Sequence, residues 1–102
     1  AIVQGKPYTF KIKLDATKYP TVDGMKVEVF LNDSSKVLFS YPAATGYITM
    51  TLVAGYYTAT IPAETTLTMR GRYGVEIELF AGSTSIDKVK NNSLVEVEAQ
   101  AV

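Results

Sequence analysis

The sequence predicts an all-β domain, an antiparallel sandwich of two sheets with seven to eight strands and one short helical turn near residues 63–69. Three observations carry this. Apolar side chains recur at every second position in most segments, turn-forming residues fall every eight to twelve residues, and no stretch shows a helical period. The clearest evidence lies between residues 55 and 80, GYYTATIPAETTLTMRGRYGVEIELF.

Taken in order, Ile2 and Val3 suit a short leading strand, and Gly5 and Pro7 break the path after it. Tyr8, Phe10, Ile12 and Leu14 then alternate with Thr9, Lys11 and Lys13, the pattern of a strand with one face buried. Residues 15–23 hold Pro20 and two threonines and predict a loop. Gly24 precedes a third alternating set, Met25, Val27, Val29 and Leu31, whose other face is Lys26, Glu28 and Phe30. Asn32-Asp33-Ser34-Ser35 predicts a hairpin turn, so KVLFSY (36–41) is expected to return antiparallel to it. After the connector at residues 42–46, YITMTLV (47–53) predicts one strand with Ile48, Met50 and Leu52 on a single face.

Tyr57, Ala59 and Ile61 alternate with Thr58 and Thr60 until Pro62, which cannot donate to a continuing ladder. Residues 63–69 are too short and too rich in β-branched residues for a stable helix, and predict one turn that drops Leu67 and Met69 onto the core. Tyr73, Val75, Ile77 and Leu79 alternate against Gly74, Glu76, Glu78 and Phe80. Ala81-Gly82-Ser83 predicts a three-residue hairpin loop, which sets Glu76 opposite Lys88 and Val75 opposite Val89. Asn91-Asn92-Ser93 is expected to kink the chain before a last strand bearing Val95, Val97 and Ala99. Because Glu96 and Glu98 would repel Glu76 and Glu78, that strand is expected to leave for the strand carrying Lys11 and Lys13. The whole pattern points to an immunoglobulin-like sandwich, without the Cys pair and Trp of antibody domains.

Composition narrows function more than it names it. A chain of 102 residues predicts a single domain over residues 1–102, large enough to bury about 60 to 70% of its unfolded surface. With no Cys there is no disulfide, thiol catalysis or thiolate metal site, and with no His the commonest general base and zinc ligand are gone. Ten basic and ten acidic residues cancel, so no long-range field gathers nucleic acid or an anionic membrane. No apolar run approaches the roughly 18 residues of a membrane span, so the chain is expected to be soluble. A start at Ala1 is expected either from loss of an initiator Met or from cleavage of a leader.

No catalytic, cofactor or metal site is expected. Glu76, Glu78, Glu96 and Glu98 sit two apart on outward faces, where solvated charge that keeps sheet edges soluble is the better account than acid–base chemistry. Asp15, Asp23, Asp33 and Asp87 lie on different loops without calcium-loop spacing. Gly71-Arg72-Tyr73-Gly74 matches a GxxG clamp formally but leads into a strand, and Ser34, Ser35 and Lys36 at a hairpin tip cannot hold a dry dyad. The candidates that remain are partner-binding residues: Tyr41, Tyr47, Tyr56, Arg70, Arg72, Phe30 and Phe80. Seven tyrosines are many, and Tyr41, Tyr47, Tyr56 and Tyr57 crowd two connectors, which suggests an aromatic platform for a sugar or a protein; rim packing is the favoured reading. Phe30 and Phe80 stand on otherwise charged faces and would mark an interface if exposed.

The charge-alternating first strand, the GYITMTL segment, and the run containing Ile61, Pro62, Ala63, Glu64, Thr65, Leu67, Gly71, Arg72, Tyr73, Glu76, Glu78 and Leu79 resemble the small immunoglobulin-like domains of tailed-phage structural proteins. Those of baseplate upper proteins and of head or tail accessory proteins are similar. The resemblance is loose over the chain and firmer over residues 61–79. It implies a non-enzymatic virion building block, made in the host cytoplasm, that contacts a capsid or tail lattice of other virion proteins in several symmetric copies, without nucleic acid, membrane or cofactor. With no fibre or receptor-binding region following, a decoration or connector subunit is the expected role. The alternative expectation is a carbohydrate- or surface-binding adhesin module that uses the tyrosines.

Overall fold

Period-two burial appears where the sequence alternates, and it organises the two sheets. The computed structural model describes residues 2–30, 36–69 and 71–98, with 71–73 and 91–98 described in backbone only. The strands are β1 (Ile2–Val3), β2 (Tyr8–Lys13), β3 (Gly24–Phe30), β4 (Lys36–Tyr41), β5 (Ile48–Thr49), β6 (Thr51–Val53), β7 (Tyr56–Ile61), β8 (Gly71–Ala81) and β9 (Thr84–Glu98), with α1 (Ala63–Thr66) between β7 and β8. They form a six-stranded sheet in the order β1-β9-β8-β3-β4-β5 and a three-stranded sheet in the order β2-β7-β6. All pairings are antiparallel except β1 with β9 and β4 with β5.

In the larger sheet Met25, Val27, Val29, Phe39, Val75 and Leu79 turn inward and are buried, and Tyr57, Ala59 and Ile61 of β7 close over them. Two edge-to-face ring pairs seam the layers, Phe10 with Phe39 at 5.2 Å and Tyr41 with Tyr57 at 5.5 Å between centroids. Each buried aliphatic side chain here contributes about 1.5–3 kcal/mol, so the alternation in the sequence is what holds the layers together.

The chain departs from its sequence-based expectations at five places. Residues 47–53 are not one strand. The chain leaves the six-stranded sheet after β5, buries Met50, and enters the three-stranded sheet as β6, so Ile48 and Leu52 stay exposed. Met50 N–H bonds Ser40 O at 2.8 Å, which pins the crossing. In the turn after Pro62 it is Thr66, not Leu67, that faces inward with Met69. Leu67 is exposed, whereas the Thr66 hydroxyl donates to Lys6 O at 2.8 Å and the Gln4 amide to Met69 O at 2.6 Å.

The β8–β9 turn has two residues, not three, because Ala81 pairs with Thr84 and leaves Gly82, at φ +61, and Ser83 to reverse the chain. A bulge then inserts Ile86 between the pairs Phe80↔Ser85 and Leu79↔Asp87. The register becomes Glu78↔Lys88, Ile77↔Val89 and Glu76↔Lys90. Nor does the last strand leave its neighbour. A second irregularity between Tyr73↔Val95 and Val75↔Asn91 absorbs the expected kink, and β9 continues along β8 with Glu96 across from Arg72. In this register Glu96 falls across from Arg72 rather than beside Glu76 or Glu78, so the juxtaposition that was expected to send the strand to β2 does not arise. Finally, the strands number nine among the described residues, because the leading strand forms and residues 47–53 split. The Asn32–Ser35 turn expectation and Leu31 and Ala99 lie outside the described residues.

The β6–β7 hairpin carries visible strain. Val53 pairs with Tyr56, leaving Ala54 and Gly55 as a two-residue turn with φ +50 and +81. Left-handed backbone costs an alanine roughly 1 kcal/mol, and asparagine tolerates it better. Ala54→Asn is therefore expected to raise stability by about 0.5–1 kcal/mol in urea denaturation, and Ala54→Val to lower it.

Candidate interaction surface

Several of the residues weighed for chemistry have partners in the structure. Glu76 lies on the outer face of the six-stranded sheet, 3.4 Å from Lys88 Nζ and 3.6 Å from Lys90 Nζ. Glu78 accepts a 2.7 Å hydrogen bond from the Ser85 hydroxyl, and Glu28 pairs with Lys36 at 3.7 Å. Pairs this exposed are worth about 0–1 kcal/mol each; they neutralise the face more than they stabilise it. Asp15 accepts from the amide of Thr17 at 2.9 Å, and Asp23 from that of Gly82 at 2.9 Å, so both shape loops.

Asp87 accepts a 2.6 Å hydrogen bond from the Tyr19 hydroxyl, which ties the β2–β3 loop to β9. That bond holds the Asp87 carboxyl below the usual carboxylate range and raises the Tyr19 phenol above its own. Among the described residues no cluster of three metal-ligating side chains occurs. Gly71-Arg72-Tyr73-Gly74 is strand rather than loop, since β8 begins at Gly71. Ser34, Ser35 and Asp33 lie outside the described residues, as does Arg70. Arg72 is described in backbone only, and Glu96 and Glu98 likewise.

The tyrosines do not form one platform. Tyr57 is buried and Tyr41 packs against it, both between the sheets. Tyr47 lies over the outer face of the six-stranded sheet, where Lys26 Nζ sits 5.0 Å from its ring centroid and 5.4 Å from that of Phe80. Two candidates are thus brought together by one lysine, in cation–π geometry. Tyr47 and Lys26 border a groove of 340 Å³ that Glu28, Lys36, Glu76, Glu78 and Lys88 also line. Tyr56 lies on the opposite side of the molecule, on the outer face of the three-stranded sheet, with Lys11 Nζ at 5.9 Å and Lys13 Nζ at 5.6 Å. The sequence places these residues near one another along the chain, but the strand faces separate them.

Phe30 is accounted for by packing. It pairs with Gly74 across β3 and β8, and a Cβ added to Gly74 would stand 2.5 Å from its ring. The ring covers the bare glycine backbone, a cross-strand device found in natural sheets. Gly74→Ala is expected to destabilise by about 1–2 kcal/mol by displacing that ring. In the Phe30→Ala background the same change should cost nothing or stabilise, and a double-mutant cycle in urea measures this coupling.

One surface feature was legible in the sequence but is not marked by any motif. Residues 37–63 contain no charged side chain, although a fifth of the chain is charged. The structure puts this run at one side of the sandwich, where β5 and β6 are the outer strands of their sheets. Ile48, Leu52 and Val53 are exposed there, Val53 at 61%.

Fold and surface together define an all-β two-sheet sandwich whose distinctive features are its sheet faces and, among the described residues, its unpaired outer edges. Compared with family models, with curated proteins and with solved structures, the chain matches none.

Proposed function

We propose that this domain is a non-enzymatic structural subunit acting through protein–protein contacts, as a capsid decoration or cement protein or a tail or baseplate accessory subunit of a phage virion. The observation that carries the contact role is the uncharged edge at β5 and β6. A free strand offers unpaired backbone groups to any passing strand, and proteins blunt such edges with lysine, proline or cover. Here the exposed residues beside the edge are Ile48, Leu52 and Val53, and no charge lies nearby in sequence. An apolar edge of this kind is suited to burial against a neighbouring subunit, and repeated copies in a symmetric lattice would cover it each time.

The virion setting is supported by the resemblance over residues 61–79. The immunoglobulin-like reading is supported by strand order: β2-β7-β6 follows the B-E-D order and β9-β8-β3-β4 the G-F-C-C′ order of such domains. The other virion proteins are the partners in this reading, and neither nucleic acid nor membrane is involved.

Val53 is exposed, so Val53→Lys should fold with stability within about 0.5 kcal/mol of the parent. It is expected to lose at least tenfold in co-sedimentation with virions of the phage that encodes the chain and in self-association by analytical ultracentrifugation. A parent protein that stays monomeric and does not bind virions would overturn the proposal. So would a Val53→Lys protein that binds as well as the parent.

A further inference from the structure

The opposite side of the sandwich has a second free edge with different chemistry. β2 is the outer strand of the three-stranded sheet and, among the described residues, pairs with β7 alone, from Tyr8↔Ile61 to Lys13↔Tyr56. Along an antiparallel edge alternate residues turn their N–H and C=O groups away from the single partner, so β2 presents a ladder that another strand can complete.

Beside that edge lies a cleft of 260 Å³, lined by residues 8–12 of β2, with Tyr8, Phe10 and Ile12 on its inner side and Thr9 and Lys11 at its border, and by Val29 and Val75 of the other sheet. Val29 and Val75 are buried, but Tyr8, Phe10 and Ile12 remain half-buried although all three point between the layers. A fourth strand in the small sheet would cover them, because every second side chain of that strand would enter the cleft.

The outward residues of β2 set the partner's charge. Lys11 and Lys13 flank the Tyr56 ring. The rest of that face is Thr9, Thr58, Thr60, Thr51 and Val53, without an acidic residue among the described positions. Cross-strand pairing favours opposite charges and disfavours like ones. A second copy of β2 would bring two more lysines to the same face, so self-pairing here is opposed.

We infer that the β2 edge takes up an extended segment of another protein by β-augmentation, a segment whose alternate residues are aliphatic and whose intervening residues are acidic. Its aliphatic side chains fill the cleft beside Phe10 and Ile12, its carboxylates face Lys11 and Lys13, and its backbone completes the β2 ladder. This assignment rests on β2 alone and stands apart from the contact at the β6 edge.

The test titrates ¹⁵N-labelled protein with acetyl-VEVEVEV-amide and, in parallel, with acetyl-VKVKVKV-amide. The acidic peptide is expected to shift and protect the β2 amides and to bind at least tenfold more tightly than the lysine peptide. The outward-facing double variant Lys11→Glu/Lys13→Glu should reverse that preference, with the β6-edge behaviour unchanged. Equal binding of the two peptides, no binding by either, shifts that map away from β2, or β2 amides already protected in the free protein through self-association would each overturn the inference. If the double variant fails to fold, the comparison of the two peptides on the parent protein decides.

Discussion

The structure depends on β8 being pleated with its aliphatic side chains turned to one side. β8 lies between β3 and β9, and its register with β3 sets Val75 against Val29, Ile77 against Val27 and Leu79 against Met25. These residues make a continuous apolar floor, on which Ala59, Ile61 and Tyr57 of the smaller sheet settle. The residues between them, Glu76 and Glu78, reach the opposite face and meet Lys88, Lys90 and Ser85. A slip of one residue would exchange the two sets, placing carboxylates between the layers at a cost far above the stability of a small domain.

The two layers are unequal, six strands against three, and the inequality puts the surface chemistry at the borders of the small sheet. On one border the chain itself passes between layers at Met50, leaving an uncharged outer strand with exposed Leu52 and Val53. On the other, β2 leaves the sandwich partly open and faces solvent with two lysines. The outer face of the larger sheet by contrast pairs its glutamates with its own lysines, and Lys26 is lodged between Tyr47 and Phe80. The proposed contacts therefore lie at edges, where backbone groups remain available among the described residues, rather than at the tyrosines as a group.

Most of the strands were legible because one buried face leaves a period of two that composition cannot hide, as in YTFKIK and GMKVEVF. The crossing at Met50 was not, because Ile48, Met50 and Leu52 keep that period through the change of sheet; only the burial of Met50 alone reveals it. The β8–β9 register was missed for a similar reason. Bulges add residues without breaking the alternation, so turn chemistry alone miscounts the pairs. Thr66 was passed over because a threonine's inward role depends on a carbonyl, that of Lys6, distant along the chain. The same limit scattered the candidate site: closeness in sequence says nothing about which layer Tyr41, Tyr47, Tyr56 and Tyr57 join.

The absence of cysteine makes a direct test of the pleat simple. Single cysteines introduced one at a time at positions 75 to 79 can be labelled with a thiol reagent under native conditions, each normalised to its rate in denaturant. The account predicts slow labelling at 75 and 79, where Val75 and Leu79 are buried, slowed labelling at 77, where Ile77 is half-buried against the core, and faster labelling at 76 and 78, whose side chains reach the outer face. Uniform rates, a three-to-four-residue period, or protection at 76 and 78 instead would contradict it.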